Sequence, residues 1–114
     1  MKDMTLESVT LGTCLSLLNF LGINAWRNNT GAVKTKTGFV RYGKVGSSDI
    51  IGILPDGRFL AVECKRPSGE KVTTLQQEFI DMINHNGGVG LIVRSSDELF
   101  EKLKRVIKNA GLQS

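Results

Sequence analysis

Between Ser8 and Ser48 the chain carries no aspartate or glutamate, and nowhere does it carry a long apolar run or more than one histidine. Each absence removes a class of answer. Without about 18 uninterrupted apolar residues there is no transmembrane candidate, and Lys2 and Asp3 stand where a signal peptide would show a different pattern. A soluble cytoplasmic protein is the expectation. Cys14 and Cys64 lie in apolar contexts with no CxxC or Cys/His spacing, so neither a zinc centre nor a redox motif is supported, and both are expected as reduced core residues. His85, at the end of a helical pattern, suits the dipole there, and nothing brings it near the acids discussed below.

What remains is a chain of 114 residues, 40% apolar and 23% charged, which is ordinary globular composition and sufficient for one domain over residues 1–114. Its net charge of +4 is unevenly placed. Residues 1–48 hold six Lys/Arg against two Asp/Glu, whereas residues 49–114 hold nine of each. Arg27, Lys34, Lys36, Arg41 and Lys44 all fall in the acid-free stretch, which reads as an anion-facing surface suited to a phosphate backbone. The bland alternative is a solvated basic loop.

That stretch leads into Val45–Lys65. Ile50–Leu54 is apolar, Pro55-Asp56-Gly57 is a turn signal and Phe59–Val62 is apolar again, so the segment predicts a β-hairpin. Side chains alternate along a strand, so Glu63 and Lys65 share one face and Cys64 points to the other. Such a strand is normally buried on both faces, and an acid and a lysine at its end need a reason. A strand-end pair reaching solvent is one. The other comes from Asp49, just before the first strand, where the two carboxylates can converge on a hard cation that takes one or two carboxylates and leaves room for water and phosphate.

Gly46-Ser-Ser-Asp49 followed by Glu63-Cys-Lys65 resembles the D…ExK core of the PD-(D/E)XK nucleases. The wider frame is Glu7 on a first helix, Arg27-Asn-Asn-Thr-Gly31, the Asp49 turn, Glu63-x-Lys65, Thr73-Thr-Leu-Gln76-x-x-Phe79 and Gly87-Gly88. It is similar, over nearly the whole chain, to the small stand-alone form of the VRR-NUC (virus-type replication-repair nuclease) family.

The resemblance implies a Mg²⁺-dependent endonuclease, with Mn²⁺ able to substitute. Asp49, Glu63 and the backbone carbonyl of Cys64 would ligate the metal, and Lys65 would orient or activate water. Glu7 and Gln76 would assist, although Glu7 also suits a helix N-terminus and Gln76 also suits a capping box with Thr73. Arg27, Asn28, Lys34, Lys36, Arg41 and Lys44 would contact DNA. Branched DNA such as a four-way junction, a homodimer and a replication or repair partner are further implications. The rivals are a nucleic-acid-binding module with a dead nuclease core and a nuclease that needs its partner before it cuts.

The remaining patterns predict a helix from about Thr5 to Leu21 capped by Asp3 or Thr5, a strand over Ile23–Arg27, and a mobile loop over Ala32–Gly38. A strand over Phe39–Tyr42 follows, then the hairpin and a helix starting at Thr73 or Thr74. A buried strand over Val89–Val93 and a helix capped by Ser95 or Ser96 and closed by Gly111 complete the chain. The sum is an α/β fold with a mixed central sheet flanked by helices, in the order αββββαβα, compatible with the PD-(D/E)XK core. The apolar residues of the first helix cover more than one face, which suggests a second copy of the chain as partner. Trp26 and Tyr42 are the candidates for stacking on bases, with packing on the sheet as the alternative use.

Overall fold

The computed structural model describes residues 6–107. They form α1 (Leu6–Phe20), β1 (Asn24–Arg27), β2 (Gly31–Thr35), β3 (Gly38–Tyr42), β4 (Ile50–Ile53), β5 (Phe59–Cys64), α2 (Thr74–His85), β6 (Val89–Val93) and α3 (Ser96–Ile107). Four strands make the central sheet in the order β1-β4-β5-β6. It is mixed, because β4 runs antiparallel to both β1 and β5 whereas β5 and β6 are parallel. Parallel neighbours need a crossover, and α2 supplies it.

Strand alternation sorts the helices into layers. Leu60, Val62 and Cys64 of β5 share a core with Cys14 and Leu18 of α1 and with Leu99, Leu103 and Ile107 of α3. Ala61, pointing the other way, packs with Phe79 and Ile80 of α2. Small residues let α2 come this close: a Cβ on Gly90 of β6 would stand 2.9 Å from the carbonyl oxygen of Ile80. Asn84 fastens the helix to the strand, accepting from Gly90 N at 2.8 Å and donating to Gly90 O at 3.1 Å.

The helix ends follow the sequence signals. Thr73 and Gln76 form a reciprocal capping box, so α2 uses that pair rather than Thr74 and Gln77. Ser95 caps α3 by accepting from Glu98 N at 3.0 Å. At the end of α1, Gly22 takes φ +77, and Ile23 N returns to Leu18 O at 3.0 Å. Asp3 and Thr5 as caps, Lys108 and the Gly111 stop lie outside the described residues.

Two expectations change. The segment Ala32–Gly38 is not a loop: Gly31–Thr35 forms β2 and pairs with β3 through a two-residue turn at Lys36 and Thr37, giving the order αβββββαβα. Its Lys/Thr/Gly composition reads as mobile because, among the described residues, both faces of this ribbon are left largely exposed. A ribbon needs only its own partner strand to satisfy its backbone, whatever its side chains meet. The second apolar face of α1 is also largely internal, since Leu11, Leu15, Leu17 and Leu21 pack at the core margin and leave Leu6, Val9 and Phe20 as the exposed apolar residues. Among the described residues no helix is long and apolar enough to cross a membrane.

Candidate active site

The β4–β5 register sets the site. Ile50 pairs with Val62, so the chain one step outward carries Asp49 to the side of β5 where Glu63 and Cys64 lie. Asp49 is held from two directions: its Oδ2 accepts from Cys64 N at 2.9 Å and its backbone oxygen accepts from Asn28 N at 2.7 Å. Glu63 and Lys65 are each only 2% exposed. Their side chains meet, Lys65 Nζ lying 3.7 Å from Glu63 Oε2. Gln76 Nε2 donates to that same Oε2 at 2.9 Å. Its Oε1 meanwhile accepts from Thr73 N at 3.0 Å, so one glutamine serves both the helix cap and the carboxylate.

Glu63 Oε1 has no hydrogen-bond partner although it is buried. Burial, then the neighbouring Asp49 charge, pushes the Glu63 carboxyl up to about 8. Burial also raises Asp49 above the usual carboxylate range. Two carboxylates forced together with one oxygen unsatisfied are costly unless a proton or a cation sits between them.

A second pair of acids adjoins the first. Glu70 Oε2 lies 3.4 Å from Lys65 Nζ and its Oε1 accepts from Arg66 N at 3.0 Å. Glu7, at the start of α1, is pushed up to about 7 by its hydrogen bond with Glu70 and by burial. Glu70 in turn is held down to about 2, first by that hydrogen bond. A cavity of about 280 Å³ lined by Leu6, Glu7, Arg66 and Glu70 opens here. Arg94, at the end of β6, clamps the loop that carries Glu70, donating to Arg66 O at 2.9 Å and to Glu70 O at 2.6 Å.

Asp49, Glu63, Lys65, Gln76 and Glu7 are therefore brought to one end of the sheet. The cations are not drawn in with them. Arg27, Lys34, Lys36, Arg41 and Lys44 are all exposed, on the end of β1 and along or just beyond the β2–β3 ribbon. Asn28 is used inside the chain, its Nδ2 donating to Ser47 Oγ at 2.8 Å and to Ser48 O at 2.9 Å. The Cys64 thiol faces Cys14, and that hydrogen bond together with burial pushes it up. His85 closes α2 at the end opposite Gln76. Glu70 and Arg94 are the residues that sequence reasoning passed over. The signal for Glu70 was an acid directly after Pro-Ser-Gly, a turn able to fold it back on Lys65.

Residues 9–97 match the VRR-NUC domain family. The chain belongs to that family. The matched span contains every site residue named above except Leu6 and Glu7, and membership implies nuclease activity in general. A search of curated proteins finds no match. Within this VRR-NUC domain, no group of three or more His, Cys, Asp or Glu side chains among the described residues is arranged as a metal cage. The two-carboxylate set of Asp49 and Glu63, with its unsatisfied buried oxygen, still fits a hard cation, because Mg²⁺ takes one or two carboxylates and completes its shell with water and phosphate.

Proposed function

We propose that this VRR-NUC domain is a Mg²⁺- or Mn²⁺-dependent endodeoxyribonuclease with a PD-(D/E)XK-type site, selective for branched DNA such as four-way junctions. The observation that carries the reading is the buried, unpartnered Glu63 Oε1 beside Asp49, with Lys65 in reach of the same carboxylate. Asp49, Glu63 and the Cys64 carbonyl would hold the ion. When bound, it supplies Lewis acidity toward the phosphate and lowers the pKa of water. Gln76 holds Glu63 Oε2, which leaves Oε1 as the oxygen free for a ligand. Cys64 N fixes the Asp49 carboxylate in the same way.

Lys65 lies between Glu63 and Glu70, and its ammonium orients the attacking water or balances charge developing on the phosphate as the P–O bond to the leaving group breaks. Glu7 lies beside this set through Glu70 and assists it. Arg27, Lys34, Lys36, Arg41 and Lys44 face the DNA backbone; Asn28 acts indirectly, by closing the base of the ribbon that carries most of them. A homodimer would place two such sites on a junction, and a replication or repair protein is the partner this reading implies.

The test is cleavage of end-labelled four-way junction, flap, single-stranded and duplex DNA in Mg²⁺, Mn²⁺ or EDTA, with Asp49→Asn alongside. Metal-dependent cutting that the variant lacks supports the enzyme. Full activity in Asp49→Asn would mean the metal assignment is wrong, and binding without cutting in either metal would favour the binding module or a missing partner. Sedimentation at micromolar protein checks the dimer.

A further inference from the structure

The β2–β3 ribbon has two different faces. Partners across an antiparallel pair share a face and neighbours along a strand do not. Val33 pairs with Val40 and Gly31 with Tyr42, so one face is apolar. Lys34 pairs with Phe39 and Ala32 with Arg41, so the other face sets an aromatic ring between two cations. Lys36 adds a third charge in the turn at the tip. Phe39 is 72% exposed, and among the described residues the cation–π contact is Lys104 on Phe100, so neither Lys34 nor Arg41 covers the Phe39 ring.

We infer that the Lys34–Phe39–Arg41 face of the ribbon is a nucleic-acid contact in which Phe39 stacks on an unpaired or unstacked base while the flanking cations hold the backbone phosphates. The inference deepens the nuclease reading and rests on DNA being its substrate. Charge decides the occupant: the ribbon lies within the acid-free stretch from Ser8 to Ser48, so an anionic polymer suits this face. The ring decides what kind. A flat, exposed ring between cations offers stacking, which is tolerant of base identity and suits single-stranded or branch-point bases rather than a closed duplex.

Tyr42 and Trp26 are placed less well. Tyr42 is on the apolar face with its ring over Gly31, where a Cβ would come 2.7 Å from the hydroxyl. Trp26 belongs to β1 of the central sheet, opposite Ile51.

The experiment measures binding in EDTA, by anisotropy, to a labelled four-way junction, to a duplex with one unpaired base and to a plain duplex. The proteins are wild type, Phe39→Ala, Phe39→Trp, Lys34→Ala and Arg41→Ala. Phe39→Ala should lose about tenfold in affinity for the junction and the bulged duplex, the scale of one stacked base, and change plain-duplex binding less than twofold. Phe39→Trp should retain the preference, and its fluorescence should be quenched by the unpaired base beyond the Trp26 background. Each cation variant should weaken all three DNAs together and reduce the salt slope by about one.

An unchanged ratio of junction to duplex affinity in Phe39→Ala overturns the stacking assignment while leaving the nuclease reading intact. So does a Phe39→Ala chain that sediments at a lower mass than wild type with the ratio unchanged, which would make the face a contact between copies. A wild-type chain that binds none of the three DNAs overturns both.

Discussion

Two regions of this molecule reverse the usual distribution of side chains, in opposite directions. At the end of β5, Glu63 and Lys65 are buried, where charge is normally excluded. On the β2–β3 ribbon Val33, Phe39, Val40 and Tyr42 are exposed, where large apolar groups are normally withdrawn. The difference teaches where precision is needed. Burial at β5 lets each charge be positioned by a named partner, Gln76 for Glu63 and Glu70 for Lys65. Exposure on the ribbon costs little in stability, since the ribbon contributes nothing to either hydrophobic core, and leaves a surface free to meet something large.

The comparison is broken most sharply at its buried side. Asp49→Asn or Glu63→Gln should lower cleavage by about a thousandfold or more, the scale of several kcal/mol of metal-assisted stabilisation, with circular dichroism unchanged. On the proposed mechanism, Lys65→Ala should cost on the order of a hundredfold in turnover, the scale of one preorganised charge lost from beside a reacting phosphate. Single-turnover kinetics at saturating DNA separate this loss from a binding defect.

A second break comes through pH. The Glu63 carboxyl is raised from 4.5 to about 8, so without metal the folded chain binds this proton more tightly than the unfolded one, and its contribution to stability falls as pH rises through that window. Glu7, raised to about 7, acts in the same direction. Glu70, held down to about 2, acts oppositely, its contribution being lost only as pH falls from about 4.5 through 2. A divalent cation held by Asp49 and Glu63, as proposed, would relieve the repulsion at high pH. Adding Mg²⁺ should therefore raise the melting temperature by roughly 5 °C at pH 8 and by much less at pH 5, as followed by thermal melts. In Glu63→Gln the difference between the two pH values should shrink.

Smaller effects sharpen the comparison. Glu70→Gln keeps the shape of the Lys65 partner and removes its charge, and should lower turnover by about tenfold while leaving KM nearly unchanged. Replacing Lys34 or Arg41 by alanine should do the reverse, raising KM severalfold at physiological salt with turnover intact.

Much of this was legible in the sequence, and the gaps have physical causes. The hairpin, the convergence of Asp49 and Glu63 and the opposite facing of Cys64 all follow from strand alternation and one turn signal, which are local rules. Gln76 offered two competing readings, a capping box from its spacing and a place near the metal site from the family resemblance, and the structure shows one amide using its two ends for Thr73 and for Glu63. Glu70 was not legible, because its placement depends on Arg94, distant in sequence, closing the loop over Arg66. β2 was missed because a ribbon with no buried face lacks the hydrophobic alternation that marks a strand. On α1 periodicity counts apolar residues without saying how many a small core absorbs: Leu11, Leu15, Leu17 and Leu21 pack against the core, and Leu6, Val9 and Phe20 stay exposed.

Asn28 gives the chain one further property. Its backbone amide reaches Asp49 and its side chain reaches Ser47 and Ser48, so the two ends of the ribbon are stitched together directly beside the β1–β4 pairing of Arg27 with Ile50. What lies beyond that stitch is a cassette. Its two strands are paired with each other and stand outside the four-stranded sheet, so the register that sets Asp49 rests on the stitch and on the β1–β4 pairing rather than on the ribbon.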